Sequence, residues 1–271
     1  MTLAIQISDT HFGTEQPPVV EALVRLVHEL APQVAILSGD ITQRARRSEF
    51  RAAHEFVDRL GVPVWLAIPG NHDIPLYNLA ARIFRPHANH RRAFGNDLEP
   101  NFESDALLVL TVNTSRNYLH EKGAVSRAQI ERVAARLERA TEAQLRIVVT
   151  HQPVHVTRAD DRADLLLGRD EALRRWAVAG ADLILGGHIH LPFVQALHEA
   201  NPALPRRVWA VQAGTAVSAR VRHDAGNSVN LIRCAEPRDG GRRATIERWD
   251  YDPRRDAFER YAVDEIHADA G

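Results

Sequence analysis

Leu3-Ala4-Ile5-Gln6-Ile7-Ser8-Asp9-Thr10-His11 opens on an apolar run rich in isoleucine and ends on a carboxylate and an imidazole. The pattern returns at Val34-Ala35-Ile36-Leu37-Ser38-Gly39-Asp40 and at Val64-Trp65-Leu66-Ala67-Ile68-Pro69-Gly70-Asn71-His72-Asp73. Short runs of this kind, bounded by Gly, Pro, Ser or Asp, read as strands: Leu3 to Ser8, Val34 to Ser38 and Val64 to Ile68. Between the first two, Pro17 and Pro18 suit the start of a helix in which Val20, Leu23, Val27 and Leu30 recur at helical spacing until Pro32 stops it. Between the second and third, Ser48 is the expected N-cap of a helix reaching about Leu60. The order is βαβαβ, the pattern of a sheet covered by helices.

Further along, Leu107 to Val112 and Arg146 to Thr150 read as strands flanking a helix that Ser126 and Gln129 open as a capping box. A helix over about Asp170 to Ala179, ended by Gly180, precedes a strand from Asp182 to Leu185. From Phe193 onward the texture changes. The segments Phe193 to Leu197, Val208 to Gln212, Val229 to Cys234, Thr245 to Asp250 and Ala257 to Val263 alternate between turn residues and read as antiparallel strands completing a second sheet. The expectation is one α/β (α+β) domain over residues 1–263 with two packed sheets, followed by a short tail at 264–271.

Composition bounds the function. The 271 residues can bury a sizeable core without disulfides, and the single cysteine, Cys234, makes an intramolecular disulfide impossible. The first residues carry no basic, apolar leader, and no apolar run approaches a membrane span. The expected setting is the cytoplasm. A net charge of −1, with Lys122 as the single lysine, gives no global pull toward long nucleic acid.

Metal-compatible residues sit in five places, each directly after an expected strand: Asp9 with His11, Asp40, Asn71-His72-Asp73, His151, and His188 with His190. Clefts in sheet-and-helix proteins form at the carboxyl ends of parallel strands, so these groups are expected to converge. Residues i and i+2 share a face in extended chain, so Asp9 with His11, and His188 with His190, would each aim a pair of donors at one point.

In this order the motifs Asp-x-His, Gly-Asp, Gly-Asn-His-Asp, His and Gly-His-x-His resemble those of the calcineurin-like metallophosphoesterases, across about two-thirds of the chain from Asp9 to His190. Ile7-Ser8-Asp9-Thr10-His11, Ala213-Gly214-Thr215 and Asn227-Ser228 look most like the bacterial class III cyclic-nucleotide phosphodiesterase group. For such a chain the resemblance implies two packed mixed β-sheets flanked by helices in a four-layer sandwich, with a two-metal site at one edge. It implies Asp9, His11, Asp40 and His190 on one divalent ion and Asn71, His151, His188 and the bridging Asp40 on the other. It implies attack on phosphorus by a metal-bound hydroxide, with His72 stabilising charge or protonating the departing oxygen and Asp73 orienting it. Imidazole, carboxylate and amide donors suit manganese, iron, zinc, cobalt or nickel without choosing among them.

Around this site, the basic stretch from Arg82 to Arg92 supplies Arg82 and Arg85 as candidate phosphate contacts, and Asn113 and Arg116 end a strand within reach of substrate. Thr215, Arg220, Asn227, Asn230 and the loop from Asp160 to Asp164 are further candidates. His28, His54, His120, His198, His223 and His267 fall outside the motifs and read as surface or packing residues. The expected substrate is a small phosphodiester such as a cyclic nucleotide. A nuclease or phosphomonoesterase with the same dinuclear site is the alternative, and a non-catalytic scaffold of the same fold is the alternative of a different class. Composition leaves the oligomeric state open.

Overall fold

The computed structural model describes residues 2–222, 224–234 and 242–269. The chain begins β1 (Thr2–Ile7), α1 (Pro17–Leu30), β2 (Val34–Leu37), α2 (Arg47–Leu60) and β3 (Val64–Ala67). Two short helices, α3 (Leu79–Phe84) and α4 (Ala88–Phe94), lead into β4 (Phe102–Glu103) and β5 (Leu107–Thr111). Then α5 (Arg127–Leu137), β6 (Leu145–Val149), α6 (Arg169–Ala179) and β7 (Leu183–Gly186) restore the alternation. β8 (Phe193–Ala196), α7 (Leu197–Ala200), β9 (Trp209–Gln212), β10 (Ser228–Cys234), β11 (Arg242–Asp252) and β12 (Ala257–Ala268) complete it. Among the described residues no helix is long and apolar enough to cross a membrane.

The strands form two six-stranded sheets, ordered β12-β11-β10-β1-β2-β3 and β4-β5-β6-β7-β9-β8. β1, β2 and β3 run parallel, as do β5, β6, β7 and β9, while β10 is antiparallel to β1. Side-chain alternation then sorts each strand into two faces. Ala4, Val34, Ile36, Leu107, Val109, Ile147, Leu183 and Val211 meet between the sheets. Leu3, Ile5, Ile7, Ala35 and Leu37 turn the other way onto α1 and α2, and Leu108, Leu110, Val148 and Ile184 turn onto α5 and α6. Both sheets are thus mixed and covered outside by helices, which makes four layers.

Polar side chains also bridge the sheets. Gln6 on β1 donates to the carbonyl of Gly186 on β7 at 2.9 Å, and Asn230 on β10 donates to Gln6 Oε1 at 3.1 Å and to Gln212 O at 3.3 Å. Buried amides in such a chain hold the two sheets in one relative position, because any slip strands a donor.

Local signals explain the helix ends. Pro17 opens α1, Ser126 accepts from Gln129 N at the start of α5, and Gly180 closes α6 with φ +105°. α2 begins earlier than expected. Arg46 rather than Ser48 is its N-cap, because Glu49 Oε2 reaches back to Arg46 N at 3.1 Å and to Arg44 N at 2.8 Å. The strands after Phe193 do not all complete the second sheet. β8 and β9 join the second sheet, with β9 parallel to β7, whereas β10 to β12 extend the first. The expected tail is a strand as far as Ala268, because β12 pairs with β11 from Asp252↔Ala257 to Arg242↔Ala268, with one register shift between Arg248 and Trp249. His223 and residues 270–271 lie outside the described residues.

Cys234 ends β10 at 2% exposure, and its burial pushes the thiol pKa up to about 12. The thiolate is the reactive form. The folded chain is therefore expected to resist dithionitrobenzoate at pH 8 and to release one thiol per chain once unfolded in urea. Rapid stoichiometric labelling of the folded chain would contradict this packing.

Candidate metal centre

Asp9 and His11 leave β1, Asp40 leaves β2 and Asn71 to Asp73 leave β3, whereas His151 leaves β6 and His188 and His190 leave β7. All are carboxyl ends of parallel strands, and the two sheets bring them to one edge. Extended alternation is not what aims them. Asp9, His11, Asp40, His188 and His190 have φ of 52°, 41°, 48°, 73° and 56°, and they make up five of the eight non-glycine residues at positive φ among the described residues. A left-handed backbone at a non-glycine residue costs of order 1–3 kcal/mol and persists only where surrounding bonds hold it. Here Asp9 N donates to Gly39 O at 3.1 Å and His11 N to Asp40 O at 3.0 Å.

Close approach makes two glycines obligatory. A Cβ on Gly70 would stand 2.1 Å from Asp40 N and Oδ1, and one on Gly39, whose φ is +103°, would stand 2.3 Å from His151 Nδ1. These glycines make room for donor side chains.

The donors fall into two groups joined by Asp40. His11 Nε2 lies 3.2 Å from His190 Nε2 and 3.8 Å from both Asp9 Oδ1 and Asp40 Oδ2. His151 Nε2 lies 3.3 Å from Asp40 Oδ1 and 3.3 Å from Asn71 Oδ1, and His188 completes a group with Asp40 and His151 whose ligand atoms lie within 4.8 Å of one another. His72 is also within such a group, with His11 and Asp40.

Hydrogen bonds behind the rings show why a cation fits. His151 Nδ1 donates to Ser38 O at 2.8 Å and His190 Nδ1 to Arg220 O at 2.5 Å, which leaves each Nε2 as a lone pair facing inward. At His151 that lone pair meets a carboxylate oxygen and an amide oxygen. Three acceptors pointed at one spot repel unless a proton or a metal ion lies among them. His188 adds a buried Nδ1 that has no hydrogen-bond partner among the described residues, while its Nε2 lies 3.5 Å from Asp164 Oδ1.

The titration of these groups follows from the same geometry. Burial opposes ionisation of Asp9, but the charge and hydrogen bond of His190 bring its pKa down to about 2. Asp40 is held well below the usual carboxylate range by His151 and His72 despite its burial. Burial lowers His11 to about 3, against the pull of Asp40 and Asp9. For His151 burial is outweighed by the Asp40 carboxylate, and its pKa rises to about 9.

Asp73 is not placed to orient His72. Its carboxylate accepts from Ile41 N at 3.0 Å, Gly70 N at 2.9 Å, and Thr42 N and Oγ1 at 2.8 and 2.7 Å. It is a clamp between the loops after β2 and β3, with a pKa raised to about 6 by burial and by Asp40. His72 is positioned instead by Gln43 O, 3.0 Å from its Nδ1, and by Arg220 Nη1, 3.0 Å from its Nε2.

A cavity of about 200 Å³ adjoins the donors, with Asn71 and His72 in one wall and Arg44, Arg82 and Arg220 around it. Of the four expected substrate contacts only Arg82 lines it. Arg85 lies beside His87 and Arg91 at a different cavity. Asn113 and Arg116 lie at a third, where the Arg116 guanidinium is engaged by Gln129 Oε1 at 2.6 Å and Asn113 O at 2.7 Å. The chain after β5 turns toward the start of α5, whose capping glutamine takes up these groups. Asn230 bridges the sheets and Asn227 holds Ser218 O, so of the candidates after Phe193 only Arg220 sends its side chain to the cavity. Gln43 and Arg44 line the cavity as well, and no motif marks them in the sequence. They follow Asp40 in the same loop, and loop position was the available signal.

The calcineurin-like phosphoesterase family pattern matches residues 3–192. No curated protein sequence matches the chain. Among solved structures, a dimetal phosphatase from Danio rerio is 13% identical with a TM-score of 0.66, covering 98% of this chain and 99% of that one. A purple acid phosphatase from yellow lupin seeds is 12% identical with a TM-score of 0.71, and 99% of this chain corresponds to 54% of the lupin chain. Vacuolar protein sorting 29 from Cryptosporidium parvum is 12% identical with a TM-score of 0.51, covering 98% of both chains. At these identities the likeness is one of fold.

Below a pH of about 9 the metal-free His151 carries a proton that a cation must displace. Manganese uptake at neutral pH is therefore expected to release protons and to weaken as pH falls. Calorimetry in buffers of different ionisation enthalpy checks this, and a heat independent of buffer would contradict it. Asp73→Ala leaves several buried donors unpaired and is expected to destabilise the metal-free chain by about 3 kcal/mol or more in urea unfolding.

Proposed function

The chain is a member of the calcineurin-like phosphoesterase family, and we propose that it hydrolyses a small phosphodiester, of the size of a cyclic nucleotide, at a centre of two divalent ions. The observation that carries this reading is the cavity of about 200 Å³ that shares Asn71 and His72 with the donor cluster. The imidazole and guanidiniums around it offer polar contact to a phosphate group, and Ile74 and Leu76 in its wall offer apolar contact to an organic substituent.

Asp9, His11, Asp40 and His190 would hold one ion, and Asp40, Asn71, His151 and His188 the other. When bound, two such ions supply positive charge to phosphoryl oxygens and lower the pKa of water toward neutrality. The protein's own groups do the positioning. Asp40 ties the two donor groups together through separate oxygens. The carbonyl of Gln43 fixes the His72 ring so that Nε2 is the nitrogen shared with Arg220, at the wall of the cavity. In this reading the imidazole meets the charge that develops on the departing oxygen. Arg44 and Arg220 present guanidiniums to the remaining phosphate oxygens, which they match in planar geometry, while Arg82, whose Nη1 and Nη2 donate to Pro75 O at 3.3 Å and Leu119 O at 2.7 Å, adds positive charge from the wall.

Those three guanidiniums also support a second reading, a phosphomonoesterase, because a monoester dianion carries more charge to neutralise than a diester. The manganese-reconstituted protein is expected to turn over bis-p-nitrophenyl phosphate faster than p-nitrophenyl phosphate. The reverse order would select the second reading. Asp40→Ala and Asn71→Ala are each expected to cut turnover to below about one-hundredth, since even outer-shell partners of a metal ligand are worth about 10–100-fold. Intact rates in both folded variants would refute the metal-site assignment.

A further inference from the structure

Away from the metal centre, α2 and α4 pack so that a second cavity of about 320 Å³ opens between them. Arg47, Arg51 and His54 line it from α2 at helical i, i+4 and i+7 spacing, and Asn89 and Arg92 line it from α4. Phe50, only 2% exposed, lies at its base. No aspartate or glutamate is among the lining residues. Other arginines of the chain are neutralised by a carboxylate: Arg59 on the same helix pairs with Glu21, Arg132 with Glu99, Arg136 with Glu103 and Arg175 with Glu131.

Among the described residues, the guanidiniums of Arg47, Arg51 and Arg92 have neither an ion pair nor a hydrogen-bond partner; on α2, Glu49 turns back to Arg44 N and Arg46 N, Asp58 sits 3.8 Å from His54 Nε2, and Glu55, four residues after Arg51, forms no ion pair with it. Like charges at i, i+4 spacing repel, and a third from the facing helix adds to the repulsion. The chain as a whole is close to neutral at −1, so this is a local concentration of charge. Arg92 also borders the neighbouring cavity that contains Arg85 and Arg91, which extends the positive field.

The geometry points to an anion-binding site between α2 and α4, distinct from the metal centre, that takes a small phosphorylated molecule through Arg47, Arg51 and Arg92. A phosphate group accepts paired N–H bonds from the planar guanidinium fork and relieves the mutual repulsion of the three. The apolar base contributed by Phe50 and Ala93 receives the uncharged part of the molecule. The volume is in the range of small-ligand sites, about 300–1,000 Å³. None of these residues lines the cavity beside Asn71 and His72, so occupancy here does not require an empty metal centre.

Calorimetric titration of inorganic pyrophosphate into the full chain at low ionic strength, in the presence of EDTA to silence the metal centre, tests the proposal. Expected is one site per chain whose affinity drops at least about tenfold in the Arg47→Ala/Arg92→Ala double variant and not in Arg174→Ala, which removes an exposed arginine of α6 that lines neither cavity, with bis-p-nitrophenyl phosphate turnover of the manganese-loaded double variant retained. Absence of binding by the EDTA-treated chain, or equal binding by the double variant, would overturn it. So would a short single-stranded oligonucleotide binding more tightly than pyrophosphate through the same arginines, since the site would then belong to nucleic acid. Failure of turnover with intact pyrophosphate binding would count against the phosphoesterase reading and leave this site standing.

Discussion

One carboxylate sets the geometry on which the rest depends. Asp40 lies 3.3 Å from His151 through Oδ1 and 3.8 Å from His11 through Oδ2, so it faces both donor groups at once. A carboxylate with 1% exposure among imidazoles is stable as an anion only if positive charge is close by. In the free chain that charge comes from protonated histidine, and the same positions serve a cation. The neighbouring fold is built to permit this. Gly70 and Gly39 remove side chains that would collide with Asp40 and His151, and Asp73 ties the two loops that carry Asp40 and Asn71.

Holding such donors in place has a conformational cost that the loops alone could not sustain. Five of the donor residues are left-handed, and the bonds that hold Asp9 and His11 there run from the loop after β1 to the loop after β2. The inter-sheet contacts do the same on a larger scale, through apolar packing and through Gln6 and Asn230. Rigidity at the site is therefore a property of the sheet pair.

Much of this was legible in the sequence because strand periodicity and the residues after each strand are local signals. The βαβαβ run, the capping box at Ser126, the glycine stop at Gly180 and the grouping of Asp9, His11, Asp40, Asn71, His151, His188 and His190 depend on neighbours a few positions apart, or on the simple rule that parallel strands end on the same side. What depended on partners distant in sequence was not legible. Asp73 turned to backbone amides of residues 41, 42 and 70 instead of His72, Arg116 was taken up by Gln129, and β9 and β10 parted to different sheets. Aiming of the donors by left-handed backbone was hidden for a related reason, since φ at Asp9 or His188 is decided by what the loop must bond to.

The donors divide between the sheets: Asp9, His11, Asp40 and Asn71 from the first, His151, His188 and His190 from the second. Each ion would then be gripped by residues of both, as a rivet passes through two plates. An ion that binds only the assembled state adds its own binding free energy to native stability by mass action. Resistance to heat and to proteases thus becomes a function of how much free metal surrounds the chain, and scarcity would loosen the joint between the plates before either plate came apart.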